Sequence, residues 1–134
     1  MKKLLALSAC TLLAAPVLAD VHVGVIASLT GPAAALGAET KKAVALLPTT
    51  VGKEKVQYIV LDDGSDPTNA VKNARKLITE HKVDAILGPN LIGTAMAIAD
   101  VANSEKTPMV SVAPLDVSGD KRQYVFRSRS EEHT

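Results

Sequence analysis

The chain has 134 residues, of which 47% are hydrophobic and 22% charged, a balance typical of a globular protein and not of a disordered chain. Its formal charge is +1, and its only aromatic residues are Tyr58, Tyr124 and Phe126. This composition argues against a nucleic-acid partner, because it supplies neither a basic patch nor a set of aromatic rings for stacking on bases.

The first 19 residues predict a signal peptide. Lys2 and Lys3 form a positive start, Leu4 to Leu18 is an apolar run, and Val17-Leu18-Ala19 is a small-residue cleavage signal before Asp20. A membrane anchor is the alternative, but the run is short for a span of about 20 residues. We therefore predict export, with cleavage after Ala19.

Cys10 is the only cysteine and lies inside this predicted signal peptide. The mature chain would then form no disulfide, although its compartment is oxidising. The segment Leu7-Ser8-Ala9-Cys10 resembles a lipobox, so a lipid anchor is an alternative. The apolar run that precedes Cys10 is too short to favour it, and we predict that the protein is not a lipoprotein.

The mature chain opens with a strand and a helix. The β-branched run Val21–Ala27 predicts a buried strand, and the turn from Ser28 to Pro32 places proline at a helix start. A helix is predicted from about Ala33 to Leu47, ended by Pro48. Its apolar face consists of Leu36, Ala43, Val44 and Leu47.

A second strand is predicted at Val56–Leu61, after a polar loop from Thr49 to Lys55. The acidic segment that follows could hold a metal or a phosphoryl group, as in receiver domains. We favour a structural role, because Asp66 is a good N-cap before Pro67. Asp62 or Asp63 would bond amides of the turn.

The clearest helical periodicity runs from Pro67 to His81. Its predicted buried stripe is Ala70, Val71, Ala74, Leu77 and Ile78.

A third strand, Val83–Leu87, is followed by the break Gly88-Pro89-Asn90 and a mostly apolar helix from about Gly93 to Asn103, in which Met96 is predicted to fill the core. The helix N-terminus should lie at the carboxyl edge of the sheet, where ligands of open α/β sheets bind. Its free N–H groups favour an anion. We hypothesise that Gly93 and Thr94 receive the negatively charged end of a small ligand.

The last predicted elements are a strand at Pro108–Val112, a loop at Ala113–Lys121 and a short strand at Gln123–Arg127. Strands and helices alternate three times before the last strands. This order predicts an α/β fold with a doubly wound, mainly parallel sheet.

No enzyme signature accompanies this fold. The chain has no dinucleotide fingerprint, Walker motif or nucleophile elbow. His22, His81 and His133 show no metal-ligand spacing. We therefore expect a protein without catalytic activity, metal or cofactor.

Five segments together resemble one family of proteins. They are VGVIASLTGPAAALG (Val23–Gly37), VLDDGSDPTNAVKNARKLI (Val60–Ile78), VDAILGP (Val83–Pro89), KTPMVSVAP (Lys106–Pro114) and QYVFRS (Gln123–Ser128). In order and spacing they resemble the N-terminal part of a periplasmic substrate-binding protein of the branched-chain amino-acid ABC-transporter type. The resemblance implies a Rossmann-like first lobe of a type I periplasmic binding protein.

The resemblance also implies a mechanism and a site. Members of this family have two lobes, bind a small solute in the periplasm by closing the cleft between them, and deliver it to an ABC permease in the inner membrane. By position, the first lobe would bind an amino acid's charged groups through Ile92, Gly93, Thr94, Ala113, Pro114 and Leu115, with Leu36 bordering the cleft.

Three of these positions depart from the family pattern. Ile92 stands where serine is frequent, Leu115 where threonine is, and Leu36 where an aromatic is common. The hydroxyl of Thr94 and backbone N–H groups remain for a carboxylate, while partners for an ammonium are less evident. The ligand is therefore expected to be amino-acid-like or another small carboxylate or amide. A ligand-sensing domain of an amide sensor or receptor, which shares the fold, is the alternative.

These expectations divide the chain into three parts. Residues 1–19 are the signal peptide, 20–128 a partial N-terminal ligand-binding lobe without its second lobe, and 129–134 a tail that matches a translated sequencing-library adapter and is expected to be non-native.

Overall fold

The computed structural model describes residues 20–118 and 122–128. The strands are β1 (Val21–Ala27), β2 (Thr50–Val51), β3 (Glu54–Asp62), β4 (Ala85–Leu87), β5 (Met109–Ser111) and β6 (Val125–Arg127). The helices are α1 (Ala34–Ala45), α2 (Pro67–Thr79) and α3 (Ile92–Ser104). The predicted signal peptide with Cys10 and the predicted tail lie outside the described residues.

The strands form one sheet in the order β2-β3-β1-β4-β5-β6. Every neighbouring pair is parallel except β2 with β3, which is antiparallel. After β1 the chain passes through α1 to β3, the neighbour of β1 on one side. It then passes through α2 to β4, the neighbour of β1 on the other side. Because parallel crossovers are right-handed, this reversal puts α1 on one face of the sheet and α2 and α3 on the other. The predicted doubly wound, mainly parallel α/β fold is confirmed.

The main core lies between the sheet and the α2–α3 pair. Residues of α2 and α3 enclose Ile26, Ile86 and Met109 from three strands. The predicted stripe of α2 is confirmed: Ala70, Ala74 and Leu77 are buried, and Val71 and Ile78 pack against the same core.

The opposite face is less covered, because α1 is the only helix of the described residues that packs there. Only Gly37 and Val44 of this helix are buried. Of the predicted apolar face, Leu36 is 52% exposed and Ala43 is exposed as well. The helix lies where it was predicted, but of its predicted apolar face only Val44 is buried, and an open groove remains between α1 and β4.

The prediction of a loop over Thr49–Lys55 was wrong, since this segment contains a hairpin. Thr50 pairs with Lys55 and Val51 with Glu54 across Gly52, which has a φ of +63°. The polar residues concealed the hairpin, because an edge strand in contact with solvent needs no apolar pattern. No helix among residues 20–118 and 122–128 has both the length and the apolar character needed to span a bilayer.

Candidate functional site

The sheet order defines where a ligand would bind. Five strands of the sheet are parallel, and across the sheet they follow one another as β3, β1, β4, β5 and β6. Numbered by their place in the chain, this order is 2-1-3-4-5. The direction of winding reverses between β1 and β4, and in open α/β sheets the crevice outside the carboxyl ends of these strands is the ligand site. The loops after β1 and after β4 form the two sides of this crevice.

The turn between β4 and α3 is held by its neighbours. The Gly88 N–H donates to the Val110 carbonyl at 3.0 Å, and the Ala113 N–H donates to the Pro89 carbonyl at 3.1 Å. Gly88 has a φ of +99°, and a Cβ there would lie 2.2 Å from the Ile26 carbonyl oxygen. Only glycine fits this approach to β1, so the start of α3 is fixed beside the crevice.

The N-terminus of α3 has free backbone donors. Leu91 is the N-cap, with extended backbone and no side-chain cap, and the first bond of the helix runs from the Ala95 N–H to the Leu91 carbonyl at 2.9 Å. Within the described part of the chain, the N–H groups of Ile92, Gly93 and Thr94 form no hydrogen bond. Gly93 is exposed and has no atom within 4 Å of an ideal Cβ position, so its surroundings are open.

The Thr94 hydroxyl is not the free donor that the sequence suggested. Thr94 is 1% exposed, and its Oγ1 donates to the Leu91 carbonyl at 2.9 Å. This is a bond of the kind that threonine often makes in helices, back to the carbonyl three residues earlier, which also accepts the Ala95 N–H, and it caps none of the free N–H groups. Thr94 therefore offers the crevice no side-chain donor.

The loop after β5 also differs from expectation. Ala113 and Leu115 are buried, and the Ala113 carbonyl accepts hydrogen bonds from Ser111 Oγ at 3.0 Å and from the Leu115 N–H at 2.8 Å. Because these groups face the interior and bond each other, the side chains at 113 and 115 support the loop and do not line an open surface. Pro114 is exposed between them.

The crevice has an apolar rim. Leu36 on α1 is 52% exposed, and Ile92 and Met96, one turn apart on α3, are 49% and 51% exposed. Met96 was predicted to fill the core, and this prediction was wrong, because the buried side of α3 is the stripe that contains Ala95, Ile98 and Ala99. The polar donors of the helix N-terminus thus lie beside apolar surface.

Asp62 joins the loop after β1 to the loop after β3. Its Oδ1 accepts the N–H groups of Leu29 at 2.8 Å, Thr30 at 3.2 Å and Gly64 at 2.8 Å, and its Oδ2 accepts the Thr30 hydroxyl at 2.6 Å. Desolvation raises the pKa of Asp62, but these hydrogen bonds outweigh it and hold the pKa below its ordinary value of 3.8.

The other predictions for this acidic segment are confirmed. Asp63 Oδ1 accepts the Ser65 N–H, and Asp66 Oδ1 accepts the Asn69 N–H as N-cap of α2, both at 2.8 Å. Among the residues that the structure describes, no three histidine, cysteine or acidic side chains are grouped so that they could hold a metal ion.

Asn90 is a candidate that the sequence reading passed over. It follows the Gly88–Pro89 break and lines a groove of about 380 Å³ with Leu36, Thr40, Leu87 and Val112. Its Nδ2 donates to Thr40 Oγ1 at 2.8 Å, whereas its Oδ1 is buried and has no partner among residues 20–118 and 122–128. The signal that could have found it is a polar residue three positions after a buried strand, at the carboxyl edge of the sheet.

Comparison with known proteins identifies similar sequences. A family model described as "Periplasmic binding protein" matches residues 20–133. The chain is 30% identical over 118 residues to Leu/Ile/Val-binding protein homolog 3 of Brucella melitensis, covering 82% of this chain and 32% of that protein. It is 31% identical over 99 residues to BraC3 of Rhizobium johnstonii, covering 69% of this chain and 27% of that protein. The chain thus spans about a third or less of the length of these curated relatives.

Solved structures share the fold. An extracellular ligand-binding receptor of Rhodopseudomonas palustris HaA2 superposes with a TM-score of 0.79 at 36% identity, over 84% of this chain and 31% of that one. The leucine binding protein LivK of Thermotoga maritima has a TM-score of 0.74 at 32% identity, over 80% and 32%. A solute-binding protein of an R. palustris ABC transporter, in complex with 4-hydroxybenzoate, has a TM-score of 0.72 at 31% identity, over 81% and 31%.

Proposed function

This chain belongs to the periplasmic binding protein family, and from that premise we propose that it is the first lobe of a solute receptor that serves an ABC importer. The receptor has no catalytic role. It captures a small carboxylate in the periplasm, closes a second lobe over it and presents it to a permease in the inner membrane. The coverage of about a third of the relatives supports the assignment of residues 20–128 to one lobe.

One observation carries this proposal. The N–H groups of Ile92, Gly93 and Thr94 have no hydrogen-bond partner in the described part of the chain, and Ile92 and Gly93 are exposed beside the crevice where winding reverses. Consecutive free N–H groups at a helix N-terminus form a site for an anion, which the helix dipole also favours. A carboxylate is the anionic group that branched-chain amino acids and benzoates share.

The rim supports a solute with an apolar body. Leu36 on α1 and Ile92 and Met96 on α3 are exposed apolar side chains on the helices that flank the crevice. Pro114 and the backbone of the buried Ala113 and Leu115 border the opposite side in this proposal. A leucine side chain or an aromatic ring would bury such surface, in keeping with the names of the leucine binding protein and of the 4-hydroxybenzoate complex among the similar structures.

A pair of variants at Ile92 tests the role of the helix N-terminus. Ile92→Pro and Ile92→Ala both replace isoleucine with a smaller apolar residue, but only proline removes the backbone N–H. Proline is suited to the first position of a helix, and the extended backbone of Leu91 is compatible with a following proline. The loss of one hydrogen bond to a charged group should weaken carboxylate binding by about tenfold or more relative to Ile92→Ala.

The measurement is calorimetry on the full-length product of the source locus, with leucine and 4-hydroxybenzoate as probes. Equal affinities of Ile92→Pro and Ile92→Ala for the solute that binds would contradict a role of the α3 N-terminus. If the wild-type protein binds neither probe, and no other small carboxylate raises its unfolding temperature, the proposed function is wrong.

A further inference from the structure

The N-terminus of α1 is held by a side chain from a different loop. Its own N-cap, Ala33, makes no side-chain cap, and no acidic residue lies in the first turn of the helix. Ser65, in the loop after β3, supplies an acceptor instead, since its Oγ accepts the Ala33 N–H at 3.1 Å. The same hydroxyl donates to the Thr30 carbonyl at 3.0 Å, so one side chain binds the loop after β1 at two points.

The direction of both hydrogen bonds is determined by their partners. The backbone N–H of Ala33 can only donate and the Thr30 carbonyl can only accept, so the single hydroxyl hydrogen of Ser65 must point to Thr30. Position 65 therefore needs one atom that both accepts and donates, which a hydroxyl oxygen provides.

Ser65 makes these contacts in a backbone conformation that serine seldom adopts. Its φ is +64°, in the left-handed region that favours glycine. Asp63 Oδ1 accepts the Ser65 N–H at 2.8 Å and helps to hold this conformation. The backbone of Gly31 comes so close that a Cβ on it would lie 2.9 Å from Ser65 Oγ. Glycine would fit at position 65 without steric cost, so what serine adds there is its hydroxyl.

The backbone of Ala33 connects Ser65 to the rim of the crevice. Its N–H is held by Ser65, and its carbonyl accepts the N–H groups of Leu36 at 3.0 Å and of Gly37 at 3.2 Å. Leu36, with 52% of its surface exposed, is the α1 residue on the rim. The first turn of α1, which carries Leu36, is thus oriented by a residue outside the helix.

We propose that Ser65 is a positioning residue for solute binding, an inference that rests on the proposed function. Its hydroxyl holds the first turn of α1 in place before a solute arrives, so that Leu36 contacts the apolar body of the solute without further ordering. Order that exists before binding increases affinity, because the free energy of ordering is not subtracted from that of binding. Ser65 does not touch the solute and acts through Ala33 and Leu36.

Two variants separate the hydroxyl from the backbone conformation. Ser65→Gly and Ser65→Ala both remove the hydroxyl, but only alanine keeps the strain of a φ of +64°. Ser65→Ala should therefore unfold at a lower temperature than Ser65→Gly. Both should bind the solute about three- to tenfold more weakly than the wild-type protein, the range expected for one net hydrogen bond.

The measurement is calorimetry on the full-length product of the source locus, with thermal unfolding of the same samples. The probe is the tighter-binding of leucine and 4-hydroxybenzoate or, if neither binds, the small carboxylate that most raises the unfolding temperature of the wild-type protein.

Leu36→Ala is the background that tests the route from Ser65 to the solute. Without the Leu36 side chain the hydroxyl has little to position, so Ser65→Gly should change the affinity by less than about twofold in Leu36→Ala. A role in stability alone would give the same factor in both backgrounds.

The outcomes separate this inference from the proposed function. Unchanged affinity in Ser65→Gly, or a loss confined to the less stable Ser65→Ala, would overturn the role of Ser65. An equal effect of Ser65→Gly with and without the Leu36 side chain would overturn it as well. In these cases the wild-type protein still binds its solute and the proposed function stands. Failure of the wild-type protein to bind any small carboxylate would reject the proposed function, and the role of Ser65 with it.

Discussion

Asp62 illustrates how one side chain on a strand positions a loop that it does not belong to. It ends β3, yet it accepts three of its four hydrogen bonds from Leu29 and Thr30 in the loop after β1. That loop leads to α1 and to Leu36 on the rim of the crevice. The carboxylate thus fixes one side of the proposed site without contacting it.

Asp62→Asn should reduce the free energy of unfolding by about 1 kcal/mol at pH 7, because hydrogen bonds to a charged acceptor are stronger than those to a neutral one, and solvent screening limits the difference. The pKa of Asp62 is lowered in the folded state, so the contribution is fully present above the ordinary pKa of 3.8 and is lost as pH falls through the folded-state value. Urea denaturation of both proteins from pH 7 to pH 2.5 measures this.

The difference between the two proteins, and not the pH dependence of either alone, isolates Asp62. The pKa of Asp116 is also lowered, through hydrogen bonds from the Ser118 side chain and backbone, and would add to the pH dependence of both proteins. A difference that stayed constant down to pH 2.5 would show that the charge of Asp62 does not contribute.

At the scale of elements, α1 and α2 show what a sequence can predict. The stripe of α2 packs against the core along its whole length, with Ala70, Ala74 and Leu77 buried, so its periodicity predicted both the helix and the face that it turns inward. The apolar face of α1 is only partly covered, so the same reasoning located the helix but misjudged which residues are buried. The Asn90 side chain bonds Thr40, which lies 50 residues earlier in the chain, and the Thr94 hydroxyl bonds the Leu91 carbonyl three residues earlier. Neither contact affects the spacing of apolar residues, so hydrophobic periodicity cannot predict either one.

Gly37 sets how closely α1 can approach the loop after β1. A Cβ at this position would lie 2.1 Å from the Ser28 carbonyl oxygen and 2.8 Å from the Leu29 nitrogen, and neither backbone atom can move freely. Gly37→Ala should therefore cost more than about 2 kcal/mol of unfolding free energy, as overpacking of a rigid contact does.

Gly93→Ala is the matched control for Gly37→Ala, because it makes the same change in a helix where no atom lies within 4 Å of the new Cβ. Alanine is the better helix former, so this variant should lose no stability and gain up to about 1 kcal/mol. Urea denaturation of both variants provides the comparison. Similar stabilities would mean that α1 can shift away from the loop at little cost.

At the scale of the molecule, the two faces of the sheet are covered unequally. The α2–α3 face is closed, whereas the α1 face leaves Leu46 87% exposed and Phe126 on β6 51% exposed. Relatives about three times as long have further chain with which to cover such a surface. Exposed apolar surface of this kind favours association when nothing covers it.

Replacing Leu46 with Gln and Phe126 with Thr should therefore reduce self-association of the 134-residue chain without lowering its unfolding free energy, because both side chains are mainly in solvent. Sedimentation velocity over a concentration series measures association, and urea denaturation measures stability. Lys41→Gln, a polar change at an exposed position of α1, is the control. Unchanged association in the double variant would show that other surfaces, such as the β6 edge, are responsible.

The hydrogen bonds of Asp62 have a practical consequence for the use of this protein as a reagent. They hold the loop before α1 through Leu29 and Thr30 and do not involve the exposed side chain of Leu36, so we expect position 36 to tolerate chemical modification. Leu36→Cys introduces the only thiol in residues 20–134, since the single natural cysteine is Cys10. An environment-sensitive fluorophore attached there would report occupancy of the crevice as a change in emission, which makes the chain a starting point for an optical biosensor.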